Sequence, residues 1–505
     1  MSADAPTRPW VVVVGDALLD VEVDGRATRI CPDAPVPVVE QTSIRDRPGG
    51  AALAALLLAE DDRCRVSLVT ALADDDAGCR LRTSLWTADI EVLDLGADGP
   101  TPEKVRVRAA GQSLVRIDRG GRTSSGLGAL TARAAACIDH ADAVLVSDYG
   151  RGVTSHAGVR EALKRAAARA PMVWDPHPLG AVPVPGCLVA TPNHDEAARV
   201  AGEPSSERPT AGGLPDVARA STRLLERWPV RSVAVTMGAA GALLASAAGP
   251  PLVVPAPAVP TGDVCGAGDR FAAAATAALA RGAVLSEAVQ TAVASASQFV
   301  AAGGAAAVGL HVPRAQPARN GAARSDGCEG HAAPEPIVPQ AWLDAFRRVE
   351  TARAAGATVV ATGGCFDLLH AGHVDLLAKA RSLGDLLVVC LNADASVGRL
   401  KGDGRPVVAE GDRRRVLEAL ASVDAVAVFE EDTPEELLRA LRPDLFVKGG
   451  DYAASTLPEE EVMSGWDGQV VLVPYLSGRS TTGLLAQAGD ALNTSTTLAA
   501  SKGAR

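Results

Sequence analysis

Short apolar runs alternating with alanine-rich, helix-length stretches constrain the fold of this chain more than any other feature. "PWVVVVG" opens the series, and "RVSLVTAL", "DAVLVSD", "PMVWDP", "CLVATPN" and "RSVAVTMG" continue it. Runs that are apolar throughout suit strands covered on both faces, so the pattern predicts a parallel sheet between layers of helices. Two regions depart from it. "DVEVDGRATRI" with "APVPVVEQTSI", and "EKVRVRAAGQSLVRID", alternate at every second residue. That period predicts half-exposed antiparallel strands, a small sheet projecting over the edge of the main one. Between 313 and 338, "PRAQPARNGAARSDGCEGHAAPEPIV" has few large apolar residues and reads as a linker. A second α/β series follows: "TVVATGG", "DLLVVCLNAD", "DAVAVFE", "PDLFVKGGD" and "GQVVLVPY". The expected organisation is one domain over 1–312, a linker over 313–338 and a second domain over 339–505.

Composition agrees with two domains and narrows the functional classes. A chain of 505 residues exceeds what one hydrophobic core organises. A net charge of −11 and the lack of a basic patch interleaved with aromatics argue against a nucleic-acid partner. No apolar run is long enough to span a bilayer, and "MSADAPTRPW" carries no secretory signal, so a cytoplasmic protein without membrane partners is expected. The nine cysteines form no CxxC pair and read as reduced thiols. Cys328 and His331 in "CEGH" have a spacing that a metal could use, but no second pair follows.

In "PTGDVCGAGDRFAAAATAALARG", Gly266, Ala267 and Gly268 can expose consecutive backbone N–H groups where a helix begins near Arg270. Free N–H donors and the positive end of the helix dipole bind anions. Asp269 beside such an anion hole could take a proton from a substrate hydroxyl while the N–H groups hold phosphoryl oxygens. Asp after Gly is equally common as a helix cap. The order of "GDALLD", "RPGGAALAA", "SDYGRG", "DPHP", "TPNHDEA", "VTMGAAGALL" and "DVCGAGD" resembles the ribokinase (PfkB) family of sugar kinases over residues 10–312. "RICPDAPVPVVE" is more narrowly similar to the kinase half of bifunctional heptose 7-phosphate kinase/heptose 1-phosphate adenylyltransferases. The resemblance implies a three-layer α/β/α domain with a small β lid, Asp269 as catalytic base, and Gly266, Ala267 and Gly268 as the anion hole. It implies Asn193 and Glu196 near the nucleotide, with Glu196 acting on Mg²⁺ through water, and Thr236, Gly238 and Gly241 lining the nucleotide site. Asp20, Gly49, Gly50 and Lys104 fall on the sugar side. Two positions depart from the family pattern. Leu53 stands where an asparagine contacts the sugar, at a cost of roughly 1–3 kcal/mol if a buried hydroxyl loses its partner. His177 stands where close relatives carry lysine, and is expected to pack or make a weak contact.

The second unit opens with "GGCFDLLHAGH" at a strand-to-helix turn, which holds two of only eight histidines. His370 and His373 are at i and i+3, one face of a starting helix, where imidazole N–H groups complement phosphate charge. A metal pair and packed core histidines are the competing readings of this stretch alone. With "LNADASVGRLKGDGRPV", "EEDTPEELLRALRPDLFVKGGDY" and "GRSTTGLL", it resembles the HxGH nucleotidyltransferases, a Rossmann-like fold, and the adenylyltransferase half of the same bifunctional family. That resemblance implies His370 and His373 on the triphosphate and Thr362, Gly363 and Phe366 beside the nucleotide. Lys401, Lys448, Arg479, Ser480 and Thr481 would meet phosphates, and Asp451 would orient a ligand hydroxyl.

The implied chemistry is phosphorylation of a heptose 7-phosphate at C1 by ATP, then adenylyl transfer from ATP to heptose 1-phosphate, both with Mg²⁺. A separate phosphatase must act between the two steps, and a homodimer or higher oligomer is implied. Leu53 leaves two alternatives open: an inert, scaffolding first domain, or a different sugar phosphate.

Overall fold

The computed structural model describes residues 8–60, 64–109, 112–120, 126–202, 213–258, 262–308, 342–402, 404–450 and 457–474. Two compact units emerge, with the division between Gly304 and Ala305. The stretch read as a linker lies outside the described residues.

The first unit contributes strands β1 (Trp10–Gly15), β2 (Ala17–Ile30), β3 (Pro37–Gly50), β4 (Arg65–Thr70), β5 (Glu91–Asp94), β6 (Glu103–Ala109) and β7 (Gln112–Arg119). It continues with β8 (Ala143–Ser147), β9 (Met172–Asp175), β10 (Cys187–Ala190), β11 (Val230–Thr236), β12 (Ala242–Ser246) and β13 (Leu252–Val254). The main sheet runs β13-β12-β11-β10-β9-β8-β1-β4-β5. It is parallel from β11 through to β5. The six quoted runs all lie on these parallel strands; beyond them, at one edge, β12 and β13 turn back antiparallel. A tight connection through Gly238–Ala240 leaves no room there for a crossover helix. Val11 to Val14 are 0% exposed, so both faces of β1 are covered. Val12, Val14, Val144, Val146 and Trp174 pack with Ile138, Val159 and Leu163 from helices 132–140 and 157–167. Helices 51–59 and 267–280 also pack on β1 and β8.

The small second sheet has the order β3-β2-β6-β7. Its outer pairs are antiparallel as expected, but β2 and β6 run parallel, because two strands and two helices of the main layer intervene between β3 and β6. The first residues of β2 are buried and its far end is exposed, so the sheet projects outward from the site end of the unit.

The second unit has β14 (Val359–Gly364), β15 (Leu386–Asn392), β16 (Ala425–Phe429), β17 (Leu445–Gly449) and β18 (Gln469–Val473), in the parallel order β16-β15-β14-β17-β18. Val359, Ala361, Val388, Cys390, Ala427 and Phe446 form its core with Val349, Leu437, Leu438 and Met463. Among the described residues no helix is long and apolar enough to cross a membrane.

Candidate active sites

Parallel strands end together, and the first site forms where β1, β8 and β9 do. Asp16, just past β1, is buried and accepts the backbone N–H groups of Tyr149 (3.1 Å), Arg151 (2.9 Å) and Val153 (3.1 Å). Asp148, just past β8, accepts from Gly150 N–H (2.8 Å), the Thr154 hydroxyl (2.7 Å) and Ala181 N–H (2.8 Å). The loop so pinned delivers the Tyr149 phenol to Asp269, donating to both carboxylate oxygens at 2.9 and 3.0 Å.

The helix carrying Asp269 spans Ala267–Ala280, three residues earlier than the sequence suggests. Its cap is Gly266 at φ 79°, with no side-chain hydrogen bond, so Asp269 is not the capping residue. A Cβ at Gly268 would meet nothing within 4 Å, leaving the amino end of the helix open to a ligand. Burial pushes the Asp269 carboxyl up to about 7, with the Tyr149 hydrogen bond and Lys104 pulling it down and Asp20 pushing it up. Asp175, the last residue of β9, is raised well above the ordinary carboxylate range by burial and then by Asp269 and Glu196.

Lys104 and Asp20 face this site from the small sheet. The Lys104 ammonium lies 5.1 Å from the centre of the Tyr149 ring. Burial lowers its pKa, Asp20 raises it, and Arg106, Arg116 and Arg151 lower it further by repulsion. Asp20 is engaged by Arg106 at 2.6 Å. Gly49 makes this approach possible: a Cβ there would stand 2.6 Å from Asp20 Oδ2. Gly50 at φ 60° then caps helix Ala51–Ala59. Leu53 is 5% exposed and packs in that helix. His177 stacks on Tyr149 with ring centres 6.2 Å apart and its Nδ1 accepts the Leu179 N–H, a packing role.

On the nucleotide side, Asn193 and Glu196 form a reciprocal capping box, each side chain taking the other's N–H at 2.9 Å. Burial raises the Glu196 carboxyl while the Asn193 hydrogen bonds oppose it. Asn193 bridges to Thr236, which brings the "NxxE" turn beside Gly238 and Gly241, both at positive φ.

In the second unit, His370 caps helix Ala371–Ser382 and its ring stacks on His373 at 3.9 Å. Phe366, at the unusual φ of 43°, sets its ring 5.2 Å from His373. Burial, then His370 and Lys401, lower the His373 imidazole to about 4 against a raising hydrogen bond to the Leu368 backbone, so the ring is neutral at pH 7. A cavity of about 210 Å³ is bordered by Gly363, Phe366, Asp367, His373, Lys401 and Lys448. Lys448 is also held by Glu459, at 2.8 and 3.0 Å. Thr362 is fully buried and its hydroxyl donates to the Val447 carbonyl (2.8 Å), so it braces two strands from within the sheet. Asp451, Arg479, Ser480 and Thr481 lie outside the described residues, as do Cys328 and His331. Among the described residues no three Cys, His, Asp or Glu side chains converge as a direct metal set.

Sequence reasoning assigned no role to Tyr149, Arg106, Asp175, Asp367 or Arg413. Asp367 is buried and accepts N–H groups of Val407 (2.6 Å) and Val408 (3.0 Å) and the Arg405 guanidinium. Arg413, 1% exposed, donates to the carbonyls of Cys365 (2.6 Å), Asn392 (2.9 Å) and Val408 (2.9 Å) and to Asp394 (2.6 Å). The "SDYGRG" motif pointed toward the first of these residues. Nothing local marked Arg413 among the neighbouring arginines of "DRRR".

A buried carboxylate at the open amino end of a helix, facing a lysine from a small sheet, has the make-up of a phosphotransferase site, and an HxGH turn over a lysine-bordered cavity that of a nucleotidyltransferase. Comparisons with known proteins particularise both. Residues 9–311 match the pfkB family carbohydrate kinases, and residues 361–498 match the cytidylyltransferase-like family. A bifunctional protein HldE from Streptomyces coelicolor is 52% identical over 485 residues, covering 96% of this chain and 97% of that one. Its counterpart from Caulobacter vibrioides is 38% identical, covering 94% and 96%. Among solved structures, Arabidopsis thaliana ribokinase complexed with ribose and ATP has a TM-score of 0.48 at 22% identity, covering 58% of this chain and 93% of that one. The chain belongs to the HldE family of bifunctional proteins. It is a bifunctional enzyme, with a heptose kinase role in the first unit and an adenylyltransferase role in the second.

Two expectations follow. Arg413→Met leaves several buried acceptors without a donor and should destabilise the second unit by on the order of 3 kcal/mol. Hydrogen exchange would show this as faster exchange in residues 404–413. Asp269 has a raised pKa in the folded chain, so its ionisation weakens the fold progressively from its unfolded value of 3.8 up to about 7. Asp269→Asn should therefore raise the melting temperature of the first unit more at pH 8 than at pH 5.5, measured by scanning calorimetry.

Proposed function

We propose that the first unit phosphorylates heptose 7-phosphate at C1 and that the second joins heptose 1-phosphate to the adenylyl group of ATP. The observation that carries this reading is Asp269, buried at the open amino end of a helix with Lys104 across the Tyr149 ring. Asp269 takes the proton of the anomeric hydroxyl as its oxygen attacks the γ-phosphorus, and ADP departs with the electrons of the broken bond. Gly266, Ala267 and Gly268 receive the transferring oxygens on backbone N–H groups. Lys104 and Arg106, with Arg116 and Arg151 close enough to repel Lys104, supply positive charge for the 7-phosphate. Asp20, held by Arg106, orients sugar hydroxyls between the two ends.

Burial raises both Asp175 and Glu196, with Asp269 and Glu196 raising Asp175 further, and two such carboxyls fit a hydrated Mg²⁺, which takes hard oxygen donors. Bound there, the cation would neutralise phosphate charge. Glu196 would reach it through water, since the capping box already occupies part of its carboxylate.

In the second unit the 1-phosphate oxygen attacks the α-phosphorus of ATP and pyrophosphate leaves. His370 and His373 donate N–H groups to the triphosphate. A neutral His373 suits this role, because each tautomer keeps one donor. Lys401 and Lys448 border the same cavity. A phosphatase acting on the 1,7-bisphosphate must intervene between the steps. We also propose domains at 1–312 and 339–505 joined by 313–338, a cytoplasmic location, and self-association through the small sheet, where Ile30, Val36 and Ile44 are each over half exposed.

Mass spectrometry of products from heptose phosphates, ATP and Mg²⁺ tests the assignment. Asp269→Ala should reduce formation of the 1,7-bisphosphate by roughly 10²–10⁴-fold and leave ADP-heptose synthesis from the 1-phosphate intact. His373→Ala should do the reverse, by roughly 10²–10³-fold. Loss of both activities in either variant would refute the separation of the two sites.

A further inference from the structure

We propose that Tyr149 is a positioning residue for the kinase reaction, orienting the Asp269 carboxylate and linking it through its ring to the cation that faces the sugar's distal phosphate. The inference rests on Asp269 being the base.

Three independent features of the geometry support it. The phenol donates almost symmetrically to the two carboxylate oxygens, at 2.9 and 3.0 Å, which fixes the plane of the group as well as its position. A carboxylate has about four lone-pair directions, so one donor on the inner side leaves others for the sugar hydroxyl. The ring is itself placed without help from a ligand. Its backbone N–H is held by Asp16, the following glycine N–H by Asp148, and His177 stacks on its face. Lys104 lies over the ring at 5.1 Å, so the side chain that meets the 7-phosphate and the side chain that meets C1 share one rigid support. A sugar phosphate seated on Lys104 is thereby aligned with the base, and a sugar lacking the distal phosphate loses that alignment.

The hydrogen bond also has a signature in pH. It favours the ionised carboxylate. The groups facing Asp269 are Tyr149 from the loop after β8, Asp20 from β2, Lys104 from β6, Asp175 at the end of β9 and Cys265 just before the helix. Of these, Tyr149 and Lys104 oppose the effect of burial. Removing the phenolic hydroxyl therefore raises the pKa of the base, and the acid limb of the kinase profile moves to higher pH.

The experiment compares Tyr149→Phe with the parent chain, with adenylyl transfer by the same polypeptide as the internal check on folding. Kinase kcat should fall about tenfold or more with KM for heptose 7-phosphate within twofold, while the acid limb of kcat/KM rises by at least half a pH unit. A loss of kcat with an unmoved limb would mean that Tyr149 only supports the fold, and the proposal would be wrong. So would a variant indistinguishable from the parent. Asp269→Asn, measured alongside, separates the two readings. If it keeps kinase activity, the base assignment fails; if it is inactive while Tyr149→Phe behaves as the parent, only the tyrosine proposal fails.

Discussion

A buried carboxylate just past the end of a central strand, collecting the N–H groups of a neighbouring loop, is the interaction on which both sites depend. In the first unit it is Asp16, which follows β1 and gathers three N–H donors from the loop after β8. In the second it is Asp367, which follows β14 and takes Val407, Val408 and Arg405 from a segment distant in sequence. Burial works to raise the Asp367 pKa, yet these hydrogen bonds hold it below the ordinary carboxylate range. An uncompensated charge in such a place would cost several kcal/mol, so the loops are constrained to the shapes that satisfy it. Loop conformation is thus set by the protein before any ligand arrives.

The two sites use that rigidity for different electrostatic ends. Phosphoryl transfer to a hydroxyl needs a base whose affinity for protons is near neutrality, and burial gives Asp269, the base we propose, such an affinity. The same burial makes Asp175 and Glu196 reluctant to ionise, so positive charge brought beside them would be stabilised there. Adenylyl transfer needs no base of that kind, since a phosphate monoester is already a nucleophile. There the requirement is charge complementarity along a triphosphate, and on the proposed reading the stacked imidazoles beside Lys401 meet it.

Much of this was legible in the sequence wherever the signal was local. Continuous apolar runs marked the parallel strands, and period-two alternation marked the small sheet. The glycines of "GAGD" and "HAGH" marked two helix starts. What escaped is non-local. Tyr149 meets Asp269 across 120 positions, and Arg413 meets Cys365 across 48. No spacing rule links such pairs, and a buried arginine looks in sequence like a solvated one. The antiparallel edge of the main sheet escaped for a related reason, because β11 and β12 are as apolar as the strands beside them. The family resemblance implied that Lys401 and Lys448 meet phosphates, but could not reveal that Glu459 already pairs with the second.

That pairing explains a division of labour between the two cationic residue types. Arginine offers five donors in a planar fork and stays charged, so a buried guanidinium can tie several segments at once. Arg413 does so with three carbonyls and a carboxylate, and the part-exposed Arg80 likewise bridges Asp46, Asp76 and Glu103. Lysine carries one compact charge on a flexible stem, which suits a group that must follow a moving phosphate. Lys104 lies over the Tyr149 ring and Lys401 borders the second unit's cavity, and neither makes an ion pair among the described residues. Lys448 is the intermediate case: Glu459, itself buried, holds its ammonium at the cavity wall. A triphosphate brought there would compete for the same ammonium. Nucleotide binding in the second unit must then either keep this ion pair as a shared contact or expel a carboxylate that has no water to turn to. The first course costs less, which makes Glu459 part of the wall that fixes where the lysine stands.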